Sequence, residues 1–214
     1  MKTVNAFLIA DDHAVVRTGI TITIREAFPA AEVTSVDSFA KALEQVSQNQ
    51  FQVLLLDISL PGGNNLSMVN EIRKVNKAIK ILMFSSFDEI TFALRYLQSG
   101  ADGFLSKSAN NDEINTAIQT VLAGKQYVSE RVKEHLFSAM IQNKGPQNPV
   151  DLLSTRETDV LQYILSGKAI SEIAELMNLS PTTVSTYKNR IFDKLQVKNL
   201  VELINKCGHM NAVS

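Results

Sequence analysis

One cysteine, Cys207, stands in the whole 214-residue chain, so no internal disulfide can form and a bridge-stapled extracellular scaffold is excluded. A lone cysteine of this kind is read as a small buried hydrophobe rather than a reactive thiol. No apolar run approaches the ~20 residues that a membrane-spanning helix needs, so no membrane role is expected. Net charge is also nearly absent, at -1, which predicts no bulk attraction to nucleic acid or to a membrane surface. Repeats and low-complexity tracts are missing. Met1-Lys2-Thr3-Val4-Asn5 leads straight into an apolar run, so no signal peptide is expected and a cytoplasmic location is. What remains is ordinary: 45% hydrophobic and 20% charged residues can build a packed core, in one large domain or two small ones.

The chain is organised around Val53-Leu54-Leu55-Leu56-Asp57, four apolar residues ending in a carboxylate. A short continuous apolar run fits a strand buried on both faces of a parallel sheet. Asp57 then lies at the strand's C-terminal end, the edge where open α/β sheets place their chemistry. The following Ile58-Ser59-Leu60-Pro61-Gly62-Gly63-Asn64-Asn65 is rich in turn formers. Alone, Asp57 would pass for a turn or helix cap; the rest of the chain changes its meaning.

Ala6–Ala10 reads as a first buried strand ending in Asp11-Asp12-His13, and Glu32–Val36 as a second. Lys80–Phe84 is a fourth, ending in Ser85-Ser86, and Gly103–Ser106 a brief fifth, followed by Lys107. Between them lie helical patterns: Val16, Ile20, Ile24 and Phe28; Phe39, Ala42, Leu43 and Val46 behind Ser38 as cap; Leu66, Val69 and Ile72; Ile90, Ala93, Leu94 and Leu97. A last one carries Ile114, Ala117, Ile118, Val121 and Leu122. Strand–helix alternation with short connections predicts a doubly wound five-stranded parallel sheet of flavodoxin-like type over residues 1–124, with right-handed crossovers. Asp11, Asp12, Asp57, Ser85 and Lys107 each follow an apolar strand, so one sheet edge gathers them. Carboxylates ~4 Å apart repel by ~4 kcal/mol at an effective dielectric near 20. A divalent cation relieves that, and an all-oxygen cluster suits Mg²⁺. Carboxylate, cation, Lys107 and the Ser85 hydroxyl together form a site for phosphoryl transfer to an aspartate.

Residues 125–149 carry a helical face (Val132, Leu136, Phe137, Met140, Ile141) and then Lys144-Gly145-Pro146-Gln147-Asn148-Pro149, read as a linker. Residues 150–214 show no strand pattern and predict an all-α domain. Ser154 and Glu157 fit a capping box, followed by Val160, Leu161, Ile164 and Leu165 on one face. Ile173, Ala174 and Met177 mark a short helix, Asn178-Leu179-Ser180 a turn, and Pro181 the first position of a further helix striped by Val184, Ile191 and Leu195. A fourth helix is expected from about Lys198 to Cys207. A short helix, tight turn and second helix read as helix-turn-helix. The outward face of the second helix carries Thr182, Ser185, Thr186 and Asn189. Lys188, Arg190, Lys194 and Lys198 stand there against Asp193 alone, so the segment is basic although the domain is neutral.

The order of acids after strands one and three, Ser after four and Lys after five resembles the receiver domain of two-component response regulators, over Val4 to about Gly124. The resemblance implies that Asp57 accepts a phosphoryl group from a sensor histidine kinase. It implies Mg²⁺ held by Asp11, Asp12, Asp57 and the backbone carbonyl of Ser59, with Ser85 and Lys107 on the phosphoryl group and Phe104 as an aromatic switch that moves inward when Ser85 shifts. Asn65 stands where Gly is usual, and Ser108 where Pro is common. His13 could tune the cation site or simply face water.

Leu153-Ser154-Thr155-Arg156-Glu157, Ser171-Glu172-Ile173-Ala174, Thr183-Val184-Ser185-Thr186-Tyr187-Lys188 and Asp193-Lys194-Leu195-Gln196-Val197 resemble the LuxR-type DNA-binding domain, from about Asp151 to His209. Together the two halves resemble the NarL/FixJ class of transcription regulators. That implies Ser185, Thr186, Lys188 and Asn189 in the DNA major groove, Arg190 and Lys194 on phosphates, promoter DNA as partner and a homodimer on activation. Two other readings stay open: a phosphatase or mutase using Asp57 as nucleophile, whose haloacid dehalogenase form wants an acid where Ser59 stands, and a DNA-binding regulator that works without phosphorylation.

Overall fold

The computed structural model describes residues 5–63, 66–141 and 149–207. Asn65, the linker residues Lys144 to Asn148, and His209 lie outside the described residues. The chain divides into two compact units, Met1–Ser85 with Ala93–Ser129, and Ser86–Phe92 with Glu130–Ser214.

The first unit is built on β1 (Ala6–Ala10), β2 (Glu32–Val36), β3 (Val53–Asp57), β4 (Lys80–Ser85) and β5 (Gly103–Ser106). They form one sheet in the order β2-β1-β3-β4-β5, every neighbouring pair parallel. The helices α1 (Ala14–Ala27), α2 (Phe39–Gln48), α3 (Leu66–Val75), α4 (Glu89–Gln98) and α5 (Asn111–Leu122) follow the strands in turn. Side chains alternate across the sheet. Phe7, Ile9, Val53, Leu55, Leu82, Phe84 and Leu105 share one core with Ile20 and Ile24 of α1 and Ile114, Ile118 and Val121 of α5. β3 is buried at all five positions, which is why it reads as an unbroken apolar run.

Chain order reverses between β1 and β3: β2 lies beyond β1 on one side, β4 and β5 beyond β3 on the other. Such a switch point opens a crevice at the strands' C-terminal ends, and Ala10 and Leu56 are register partners there. At the far edge, Phe104 N–H donates to Tyr127 O at 3.0 Å, extending the pairing past β5. Gly103 is required for this. A Cβ there would lie 2.8 Å from Leu82 Cδ1 and 3.1 Å from Tyr127 Cβ.

One local contact differs from the expected chemistry. Ser38 occupies the N-cap of α2, but its hydroxyl makes no cap. The Phe39 N–H instead donates to Pro61 O at 2.9 Å, tying α2 to the loop after Asp57. At the opposite end of the sheet, Asp102 binds Arg73 at 2.5 Å and Lys80 at 3.1 Å, and accepts the Ile81 N–H at 2.9 Å. Arg73 also donates to Gly100 O and Ile79 O.

The second unit contains α6 (Glu130–Ile141), a 3₁₀ turn at Pro149–Leu152, α7 (Thr155–Leu165), α8 (Ile170–Met177), α9 (Pro181–Leu195) and α10 (Leu200–Cys207). The 3₁₀ turn straddles the boundary the sequence suggested between linker and domain: Pro149 begins it, and Val150 is fully buried. Ser154 and Glu157 do form the capping box, with the Ser154 N–H donating to Glu157 Oε2 at 2.7 Å. Val160, Leu161, Ile173, Val184, Ile191, Leu195 and Leu203 are buried, as is Cys207, whose thiol pKa is pushed up to about 11 by burial. An unreactive, core-packed thiol follows. α8 ends at Asn178 in the left-handed region, with φ 55°, which turns the chain sharply into α9. Ser180 accepts the Thr183 N–H at 3.1 Å and Pro181 opens the helix, so α9 starts at a defined residue.

Candidate functional site: an acidic pocket and an exposed helix face

The sheet edge brings together residues far apart in sequence. Asp11 follows β1 and is fully buried; Asp57 ends β3 and is 3% exposed. Lys107 follows β5, and its Nζ lies 2.7 Å from Asp11 Oδ2 and 3.0 Å from Asp57 Oδ2. The Lys107 N–H donates to Ser85 O at 2.8 Å, which fixes where the lysine leaves the sheet and sets it beside the buried Ser85. Ser106 Oγ accepts the Ser108 N–H at 3.1 Å, so the pair of serines closes the turn after β5. Asp12 is partly open to solvent. Oxygens of Asp11, Asp12 and Asp57 and the His13 imidazole all fall within 4.8 Å of one another.

Burial raises the Asp57 pKa first, and the Asp11 charge adds to this; Lys107 and the Ser59 backbone N–H pull the other way without cancelling it. Burial also works against the Lys107 ammonium, but the Asp57 and Asp11 carboxylates outweigh it and hold its pKa above the ordinary lysine value. Among the described residues, Asp11 Oδ2 and Asp57 Oδ2 are buried with no hydrogen-bonding partner beyond the Lys107 ion pair. The donor set is oxygen-rich, anionic and short of compensating charge, and so fits a hard divalent cation.

Ser59 is exposed in the loop after β3. Phe104 is fully buried, its ring 5.9 Å from the ring of Tyr96 on α4.

On α9, Thr182, Thr186, Asn189, Arg190 and Lys194 are exposed, while Ser185 and Lys188 are half-buried. Spacings of three and four residues set Thr182, Ser185, Thr186 and Asn189 along one face. Lys188 Nζ sits 5.7 Å from the Phe192 ring centroid, a cation–π contact. Sequence reasoning missed the partner of Lys194: its Nζ binds the buried Glu157 carboxylate at 2.7 Å. Glu157 thus joins the start of α7 to the end of α9. No periodic signal marks a pairing across 37 residues.

Among the described residues, no helix is long and apolar enough to cross a membrane. Residues 7–119 match the response regulator receiver domain, and residues 151–207 the luxR family of bacterial regulatory proteins. Response regulator GacA of Pseudomonas viridiflava is 34% identical over 196 residues, 92% of each chain. Response regulator UvrY of Escherichia coli K12 is 32% identical, over 92% of this chain and 90% of UvrY. Among solved structures, RcsB from Salmonella enterica serovar Typhimurium, bound to promoter rprA with a phosphomimetic, superposes with a TM-score of 0.74 at 22% identity, covering 96% of this chain and 98% of RcsB. A receiver fold with its acids and lysine at one sheet edge, followed by a LuxR-type helix-turn-helix, places the chain in the NarL/FixJ family of two-component response regulators, which regulate transcription.

Proposed function

We propose that Asp57 accepts a phosphoryl group from a sensor histidine kinase in the cytoplasm, and that the modified protein binds promoter DNA as a homodimer through α9. The observation that carries this is the buried triangle of Asp57, Asp11 and Lys107, with Nζ–O distances of 3.0 and 2.7 Å. In the transfer, an Asp57 carboxylate oxygen forms a bond to phosphorus as the phosphorus–nitrogen bond of the phosphohistidine breaks. Asp11, Asp12, Asp57 and the Ser59 carbonyl would hold Mg²⁺, which when bound neutralises charge on the phosphoryl oxygens. Lys107 supplies the fixed positive charge on the other side, and Ser85 a hydroxyl donor. Phosphorylation brings nearly two negative charges into the pocket. Lys107 and Ser85 are drawn to them, and Phe104 moves inward as Ser85 shifts, which biases an existing conformational equilibrium.

On DNA, Ser185, Thr186, Lys188 and Asn189, with Thr182 at the helix start, face base edges, and Arg190 meets phosphate. Lys194 meets phosphate with a charge already shared with Glu157. Two copies place their α9 helices on half-sites about one DNA turn apart. The test is incubation with acetyl phosphate and magnesium, then intact mass measurement. The wild type gains the mass of one phosphoryl group and Asp57→Ala does not. A wild type that never gains it, even with a histidine kinase supplied, overturns the proposal.

A further inference from the structure

The two edges of the sheet are finished differently. Along β5 the chain lays Tyr127 against the outer side, where Phe104 N–H donates to Tyr127 O and Tyr127 N–H to Asp102 O, both at 3.0 Å. β2 is the other edge, and among the described residues no strand or bridge pairs with its outer side. Glu32 N–H donates to Asn5 O at 3.0 Å, and Val36 O accepts the Asp11 N–H at 3.1 Å. Glu32, Thr34 and Val36 therefore turn their backbone toward β1. Backbone direction alternates along a strand, so Val33 and Ser35 present both N–H and C=O outward. Unpaired groups of this kind are a template for an added strand.

A groove of about 310 Å³ lies beside that edge, between α1 and Ser35, with Arg17, Ile22 and Arg25 among its walls and no acidic side chain. Ile22 is 54% exposed. Arg17 is held in place by donating to Asp11 O at 2.7 Å, and Arg25 makes no hydrogen bond or ion pair among the described residues. The two arginines stand about 12 Å apart along the helix, close to the ~13 Å that four residues of a strand span. Val33 and Ser35 lie on the α1 face of the sheet, because their register partners Phe7 and Ile9 share a core with Ile20 and Ile24. A strand laid along them would send every second side chain into the groove.

We propose that the β2 edge and this groove bind an extended acidic peptide of a partner protein by strand addition. Acids four residues apart meet Arg17 and Arg25, and an apolar residue midway packs on Ile22. Main-chain hydrogen bonds to Val33 and Ser35 supply affinity, and the alternate side chains supply selectivity. Arginine suits this role because its planar fork matches a carboxylate. A second copy of this chain fits less well: its own β2 offers Val33 and Ser35 on that face, without acids, and brings its own Arg17 and Arg25 to the same groove. The inference goes beyond the phosphoryl chemistry proposed above and does not rest on it.

The test titrates the full chain, without phosphodonor, with the capped peptide Thr-Glu-Thr-Ile-Thr-Glu-Thr, followed by nuclear magnetic resonance. The control peptide carries lysine in place of both glutamates. The acidic peptide binds and slows hydrogen exchange at the Val33 and Ser35 amides, while the lysine peptide does not bind. Arg25→Glu weakens binding by about tenfold and leaves phosphoryl uptake unchanged. Ser35→Pro removes one outward N–H at an edge, where proline is tolerated, and abolishes binding. If circular dichroism shows Ser35→Pro unfolded, Arg25→Glu, which alters no backbone bond, carries the test. Absence of binding at millimolar peptide overturns the inference, as does equal binding of the two peptides. Binding that leaves the Val33 and Ser35 amides unprotected also overturns it, because charge alone would then hold the peptide. An unphosphorylated chain that sediments as a dimer, broken by Arg25→Glu or Ser35→Pro, overturns it in favour of a second copy on this edge.

Discussion

Asp57 and Glu157 are both buried to 3% exposure, yet their surroundings treat them in opposite ways. Around Asp57, burial and a second buried acid prevail, and its pKa is raised. Around Glu157, burial also opposes the charge, but hydrogen bonds from Lys194 and from Ser154 outweigh it, and its pKa is lowered. One carboxylate is kept poorly compensated; the other is fully employed in the frame. The contrast matches the two roles proposed for these units. Phosphoryl transfer needs a buried, reactive oxygen and gives up stability for it. DNA binding needs only an exposed face on a rigid helix: Glu157 is held by Lys194 in the frame, and Thr182, Thr186 and Asn189 stand in solvent.

The largest expected effect breaks the first side of this comparison. Lys107→Met strands Asp11 and Asp57 without their cation, which costs the metal-free fold about 3 kcal/mol. It also slows phosphorylation by about 10²–10³, as loss of a group that stabilises transferring charge does. Denaturant unfolding and the rate of phosphoryl uptake check the two parts. A variant as stable and as reactive as the wild type removes Lys107 from the site.

Next in size, Asp102→Ala removes the acceptor shared by Arg73, Lys80 and the Ile81 N–H, at a cost of about 2–3 kcal/mol. This change lies at the opposite end of the sheet, so phosphoryl uptake by the folded fraction is unchanged. Comparable loss of uptake would mean that the pocket is less self-contained than its geometry indicates.

The pH dependence sharpens the contrast. A carboxyl whose pKa is raised on folding contributes stability that is complete below its unfolded value, 3.8 for Asp57, and is lost as pH rises through the folded value. Asp57→Asn therefore stabilises the metal-free protein, and its advantage grows as pH rises above 3.8. Glu157 has the opposite sign. Its contribution is complete above its unfolded value, 4.5, and is lost as pH falls through the lower folded value. Glu157→Gln shifts the acid unfolding of the second unit by about 1 kcal/mol and at neutral pH weakens the hold on Lys194. Thermal melts across the acid range decide this: stability differences of the same sign for both variants would break the comparison.

The remaining effects fall on DNA binding rather than on stability. Arg190→Ala should weaken promoter binding by similar factors on all sequences and reduce the salt slope by about one. Asn189→Ala should instead relax preference at one base position, at about 1–3 kcal/mol. Binding isotherms at several salt concentrations, on the site and on a scrambled duplex, distinguish them.

Much of the fold was legible in the sequence because burial on both faces leaves an unbroken apolar run. Ala6–Ala10, Val53–Asp57 and Gly103–Ser106 are strands over the residues read as such. The gathering of Asp11, Asp57 and Lys107 followed from parallel strands sharing one edge. Contacts made by the far ends of flexible side chains left no such trace. Lys194 meeting Glu157 and Arg73 meeting Asp102 depend on tertiary proximity, not on local period. The 3₁₀ turn at Pro149 was hidden for a different reason: two prolines and a glycine signal chain reversal equally well in a linker and in a short helical turn.

The most direct measurement is promoter affinity of the wild type and of Asp57→Ala, each with and without acetyl phosphate and magnesium. Wild-type affinity rises on treatment, and Asp57→Ala is unmoved by it. Equal affinities in all four conditions would show that the acidic pocket does not govern DNA binding.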